Sequence, residues 1–234
     1  MSERRGSALV TGASRGIGRA IAVGLAKVGY DIVAVARSNS ELDALRSTIS
    51  AMGRQCRGIP LDLTDGVATA RALDGIDVDV LINNAAMGVL EPFAELTPDD
   101  WNAMVNLNIN ALFHVTRAAL PAMMKRGAGH ICTIGSIGGR SAWVGGSCYG
   151  ATKAFVTSWS ESLMLELRPH GIKVSVVMPG SVATEFGGHE PSEADAWKLT
   201  AEEVADSVVH VVTAPGHVLV HRLEVRTNTV PKRR

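Results

Sequence analysis

Thr11-Gly12-Ala13-Ser14-Arg15-Gly16-Ile17-Gly18 follows the apolar run Ala8-Leu9-Val10 and leads into an amphipathic segment that starts at Ile17. A strand that ends in a glycine loop and continues as a helix brings backbone N–H groups close to an anion. Its glycines remove the Cβ atoms that would stand in the way, and the helix N-terminus adds partial positive charge. Taken alone, the loop is equally compatible with an ordinary tight turn, so its meaning depends on what lies around it.

Outward from the loop, short β-branched runs alternate with longer helical patterns. The strands expected are 8–11, 31–36, 55–61, 78–82, 130–134, 172–178 and 218–225, and the main helices 17–28, 40–51, 98–124, 149–167 and 201–212. This alternation predicts an α/β fold, a doubly wound, seven-stranded, mostly parallel sheet. Near-continuous apolar strands such as 174–178 require that both of its faces be covered. No repeat or linker divides the chain, so residues 1–234 are expected to form a single domain. Residues 3–5 and 232–234 read as solvated tails, and Gly187 to Ala196, with Gly, Pro, Ser and acidic residues, reads as the least regular interior segment.

Composition narrows the partners. The 23 basic residues balance 23 acidic ones, and 46% of the chain is hydrophobic but only 4% aromatic. No basic excess points to nucleic acid, and no apolar stretch approaches the roughly 18 residues that a membrane span needs. The first residues lack the pattern of a signal peptide. Cys56, Cys132 and Cys148 are widely spaced and odd in number, which predicts a reduced, cytoplasmic protein. His217 and His221 on one strand face would stand about 13 Å apart, too far to share a metal, so no metal site is expected. A small molecule is the expected partner.

In open α/β sheets, ligands bind beyond the C-terminal ends of the strands. Those ends carry Arg37, then Asp62, then Asn83-Asn84-Ala85-Ala86, then Gly135-Ser136, then Pro179-Gly180. Tyr149 and Lys153 stand four residues apart, on one face of a helix. Trp143 and Trp197 are placed where they can line a pocket.

Together these pieces resemble the short-chain dehydrogenase/reductase family over nearly the whole chain. The matching motifs are TGxxxGxG at 11–18, Asn83-Asn84-Ala85 with Ala86 in place of the usual glycine, Asn108, Ser136 thirteen residues before Tyr149, YxxxK, and Pro179-Gly180 with Thr184 four positions on. The resemblance implies a Rossmann-type domain with a substrate loop near 181–199. It assigns Tyr149 as acid/base, Lys153 as its tuner and ribose anchor, Ser136 as donor to the substrate oxygen, and Asn108 as holder of a relay water. Cofactor contacts are implied at Gly12, Ser14, Arg15, Gly16, Ile17, Gly18, Arg37, Ser38, Asp62, Leu63, Asn84, Ala85, Tyr149, Lys153, Pro179, Gly180, Val182 and Thr184. With no carboxylate closing the second strand, Arg15 and Arg37 resemble the pattern that selects NADP through its 2′-phosphate.

The expected activity is hydride transfer between NADP(H) and a carbonyl or secondary alcohol. Moving a tyrosine from ~10 towards ~7 takes about 4 kcal/mol. An ammonium ~4 Å away supplies a term of that order at an effective dielectric of ~20. A 3-oxoacyl-carrier-protein reductase is a second reading within the family, and a non-catalytic NADP(H)-sensing module a third, from another class. The positions where carrier-protein reductases present basic residues at the pocket mouth hold Gly127 and His170, with Lys125 and Arg126 nearby. The helices 98–124 and 149–167 are apolar on more than one side. That, with the resemblance, predicts a homo-oligomer, in this family a tetramer.

Overall fold

The computed structural model describes residues 5–229. Arg5 is exposed, and the rest of both expected tails lies outside the described residues.

Seven strands, β1 (Gly6–Thr11), β2 (Tyr30–Ala36), β3 (Cys56–Pro60), β4 (Val80–Asn83), β5 (Gly129–Ile134), β6 (Ile172–Pro179) and β7 (Arg222–Val225), form one sheet in the order β3-β2-β1-β4-β5-β6-β7. Every pairing is parallel, so the sheet is wholly rather than mostly parallel. The helices are α1 (Gly16–Lys27), α2 (Asn39–Ser50), α3 (Gly66–Ala72), α4 (Pro98–Val105), α5 (Ala111–Arg126), α6 (Ser147–Leu167) and α7 (Ala201–Val212).

Alternation along β1 shows why both faces are covered. Ala8 and Val10 pack with Ile21 and Leu25 of α1 and Val208 of α7, whereas Leu9 between them packs with Val115 of α5 and Leu167 of α6. Each fully buried Leu or Ile of this kind contributes about 1.5–3 kcal/mol. The winding reverses between β1 and β4, and that reversal opens a crevice above their C-terminal ends.

Three departures from the expected elements have local causes. The helix expected over 98–124 is two helices, separated by a π-helical turn, Asn106–Asn110. α3 is too short to show a period, although Asp65 caps it by accepting the Ala68 N–H at 2.9 Å. β7 starts at Arg222 rather than 218, because only Arg222–Val225 pairs with β6.

Candidate active site

The glycine loop is tied to the end of β4. Asn84 Nδ2 donates to the carbonyls of Thr11 (2.9 Å) and Gly12 (3.3 Å), and Thr11 Oγ1 accepts the N–H groups of Asn84 (2.9 Å) and Ala85 (3.1 Å). Gly12 and Gly16 have φ of +64° and +52°, a region that side chains rarely adopt. A Cβ on Gly18 would lie 2.1 Å from the Gly12 carbonyl oxygen and 2.4 Å from Asn84 Nδ2. Only glycine fits there. Arg15 precedes α1 in extended conformation, and no side chain caps the first turn, so its N–H groups face the crevice as an anion cradle. Across from it, Thr64 binds the Asp62 carboxylate through both its N–H (2.9 Å) and its hydroxyl (2.8 Å). Those bonds, with Arg37 adding its charge, hold Asp62 below the ordinary carboxylate range.

Ser136, after the end of β5, accepts the Gly138 N–H at 3.0 Å, and its hydroxyl stands beside Tyr149 at the start of α6. One helical turn on, Lys153 is 4% exposed. Its Nζ donates to the Ile134 carbonyl at 2.9 Å and lies 5.8 Å from the centre of the Tyr149 ring. Burial drives both groups away from their charged forms. It raises the tyrosine, with the Ser136 bond opposing, and lowers the lysine to about 8. The lowering of Tyr149 expected from Lys153 does not appear in the protein alone, where desolvation is the largest cause and raises it.

The π-helical turn aims Asn108 inward. Its Nδ2 donates to the Met87 carbonyl (2.9 Å) and to Thr152 Oγ1 (3.0 Å), and its Oδ1 accepts the Met87 N–H (2.9 Å). Beside Lys153 is a small cavity of about 20 Å³ bordered also by Asn108, Asn83 and Thr133, wide enough for one water. Thr133 Oγ1, buried on its wall, has no hydrogen-bond partner among the described residues.

Two aromatic rings enclose Tyr149: Trp143, with centroids 6.2 Å apart, and Phe186, at 5.3 Å. Glycines make room for both. A Cβ on Gly138 or Gly146 would come within 2.7 or 2.5 Å of the Trp143 indole, and one on Gly88 within 2.7 Å of Phe186. Phe186 rides on the loop 181–199, which is closed at its base by Ala183 N–H to Leu199 O (2.8 Å) and Leu199 N–H to Ser181 O (3.0 Å). Sequence reasoning missed Phe186, and its signal, a glycine distant in the chain, shows only in the fold.

These features line one cleft of about 1490 Å³. It gathers every expected cofactor and catalytic residue except Ser38 and Asn108. Ser38 caps α2 by accepting the Glu41 N–H at 3.4 Å, and Asn108 borders the small cavity instead. Trp143 lines the cleft and Trp197 does not. Gly127 and His170 precede β5 and β6, at the opposite edge of the sheet. Arg126 beside them is paired with Asp77 and Asp79, so the described residues place no basic patch from this region at the cleft mouth.

Residues 7–195 match the family model of the short chain dehydrogenases. The chain belongs to the short-chain dehydrogenase/reductase family. It is 34% identical to an NADP-dependent 3-hydroxy acid dehydrogenase of Salmonella typhi, over 93% of each chain. With sulfoacetaldehyde reductase 2 of Chromohalobacter salexigens it shares 35% identity, over 93% of this chain and 92% of the relative. Among solved structures it superposes on the closed form of serine dehydrogenase complexed with NADP+ with a TM-score of 0.85, at 33% identity and 93% coverage of both chains. Like other members of the short-chain dehydrogenase/reductase family, the protein is an oxidoreductase. Among the described residues no helix is long and apolar enough to cross a membrane.

Proposed function

We propose that the protein transfers hydride between NADP(H) and the carbinol or carbonyl carbon of a small hydroxy acid or its oxo counterpart. The observation that carries this is that Ser136, Tyr149 and buried Lys153 line the same cleft as the glycine loop. The cofactor is NADP(H), which supplies the hydride when bound. The residues present fit it: the uncapped first turn of α1 and the close-approach glycines suit a pyrophosphate, and Arg15 and Arg37, both exposed on the cleft, suit a 2′-phosphate.

In reduction, Tyr149 gives its proton to the substrate oxygen. Ser136 has one lone pair occupied by the Gly138 N–H, which leaves its own hydroxyl hydrogen to be donated towards that oxygen. Lys153, when protonated, stabilises the phenolate that Tyr149 leaves behind, its Nζ lying 5.8 Å from the ring centre. Asn108 and Lys153 border the small cavity, and a water there would pass the replacement proton from solvent inward to Tyr149. The named substrates of the relatives, serine, 3-hydroxy acids and sulfoacetaldehyde, each carry an acid group close to the reacting carbon, which supports the hydroxy-acid class.

Exposed Phe113 on α5 and Phe155 and Leu165 on α6 support a homo-oligomer, a tetramer by the family resemblance. A monomeric mass by light scattering at micromolar concentration would contradict it. The three cysteines, all free, support a reducing, cytoplasmic location; disulfide-linked protein in native extracts would speak against it.

The test of the activity is NADPH oxidation and NADP+ reduction across a panel of hydroxy acids, oxo acids and neutral ketones, in wild type and Tyr149→Phe. Turnover should fall at least 100-fold in a variant that keeps its fold and its NADPH affinity. Near-wild-type turnover by Tyr149→Phe would remove the mechanism. NADPH binding with no turnover of any substrate would favour a binding module.

A further inference from the structure

The loop 181–199 carries a charged cluster that the chemistry above does not use. Asp195 is buried, its side chain 7% exposed, in a stretch where residues 185–194 are all exposed. Its Oδ2 lies 2.6 Å from His189 Nε2 and accepts the Ser192 N–H at 3.0 Å, and its Oδ1 lies 2.5 Å from Lys198 Nζ. Lys198 Nζ also stands 3.4 Å from His189 Nε2. These contacts hold the carboxyl far below its ordinary range, with the Lys198 bond the largest cause. A lone lysine on a loop would sample many rotamers, and ordering it carries an entropic cost. Here the ordering is done in advance by Asp195.

We propose that Lys198 and His189, anchored together by Asp195, form the part of the site that receives the substrate's own acid group. This rests on the reading of the substrate as a small hydroxy acid. Lys198 and His189 line the same cleft as Ser136 and Tyr149. The chain connects them to the reacting centre: Phe186 packs on the Tyr149 ring, and a tight turn with the His189 N–H on the Phe186 carbonyl (3.4 Å) places His189 directly after it.

Elimination supports the same pair. The other charged residues on the cleft are Arg15, Arg37 and Asp62 by the glycine loop, Lys153 with its bond to Ile134, and the exposed acids Glu91 and Glu185, which would repel an anion. Lys198 and His189 are thus the basic groups left for an anion on the substrate side among the described residues. An ammonium has three N–H donors. Asp195 accepts one of them, and His189 Nε2, which donates to the same carboxylate, cannot also accept from the ammonium, so at least one donor is left for a ligand. A staple whose role is only to close the loop would need the Lys198–Asp195 pair but would not need its ammonium on the cleft wall.

The experiment compares kcat/KM for 3-hydroxybutyrate and for its methyl ester, with NADP+, in wild type, Lys198→Met and Lys198→Arg. The acid-to-ester ratio should fall at least tenfold in Lys198→Met, through the KM of the acid, and stay within about threefold of wild type in Lys198→Arg. Malonate, a dead-end anion, should inhibit Lys198→Met at least tenfold more weakly, a readout that needs no turnover of a chosen substrate. An unchanged ratio with unchanged malonate inhibition would overturn the assignment while leaving the hydroxy-acid reading standing. Equal losses on acid and ester would also overturn it, in favour of a staple. Wild type that reduces neutral ketones but neither turns over hydroxy acids nor is inhibited by malonate would remove the hydroxy-acid reading, and this assignment with it.

Discussion

Lys153→Met should abolish turnover yet stabilise the cofactor-free protein. Lys153 is 4% exposed, and burial lowers it from 10.5 to about 8. A shift of that size at ~1.4 kcal/mol per unit means that holding the charged lysine folded at neutral pH costs about 3 kcal/mol. Methionine has nearly the same length and no charge, and the lost hydrogen bond to the Ile134 carbonyl offsets about 1 kcal/mol. The net expectation is about 2 kcal/mol of added stability at pH 7, or roughly 4–8 °C in Tm for a domain of this size.

The sign of the pH dependence follows from the lowered value. Below about 8 the lysine is protonated in both the folded and the unfolded chain, and the full penalty applies. Between about 8 and 10.5 the folded state sheds its proton first, so the wild type gains stability as pH rises, and the variant does not share that gain. Urea denaturation of both proteins without cofactor, at pH 7 and pH 9.5, should therefore show a gap that narrows at the higher pH. Cofactor must be absent, because a ligand that binds only the folded state adds its own stability. A methionine variant less stable than wild type at pH 7, or a gap that does not close, would refute the reasoning.

Arg37→Asp should shrink or invert the cofactor preference. The wild type should bind NADPH at least tenfold more tightly than NADH, about 1.4 kcal/mol, and equal affinities by titration would contradict the role of Arg37. Gly88→Ala places a Cβ 2.7 Å from Phe186, so the ring must leave Tyr149. The KM for substrate should rise about tenfold, with an overpacking cost of about 1–3 kcal/mol and NADPH affinity kept. Adding Phe186→Ala removes the clash, so the double variant should be no worse than Phe186→Ala alone; additive losses would rule out this contact as the cause.

How much of this was legible depended on whether the cause was local. The glycine loop and the Tyr149–Lys153 spacing are properties of one strand–turn–helix and one helical turn, and both appear in the structure as read. Asn108 was legible only through the family resemblance, and Ser136, marked by its place at a strand end, took its role only from that resemblance, because nothing in a short window marks a lone serine or asparagine as catalytic. The π-helical turn at 106–110 leaves no trace in the pattern of apolar residues. Its extra residue answers a demand from elsewhere, the Met87 backbone and Thr152 that Asn108 must reach. The seat of Phe186 likewise needs Gly88, which sits beside it only after β4 and the loop 181–199 have met.

Tyr149 shows best why distance along the chain is a poor guide to chemistry. Its four-residue spacing to Lys153 suggested a charge that pulls the tyrosine down. In the fold, the elements that bring the pair together also exclude water from it: α6 lays Lys153 under Ile134, while Trp143 and Phe186 flank the phenol. Desolvation then raises Tyr149 and lowers Lys153. The consequence favours reduction, because an acid that must deliver a proton has to hold it until a developing alkoxide takes it. Oxidation needs the tyrosinate, which desolvation disfavours, and raising the pH past about 8 removes the Lys153 proton and with it the charge that would stabilise that tyrosinate. The titration of Lys153 therefore works against the oxidative direction rather than for it. The glycines under Trp143 and Phe186 belong to that argument as much as the catalytic pair, because they let the rings come close enough to keep the pair dry.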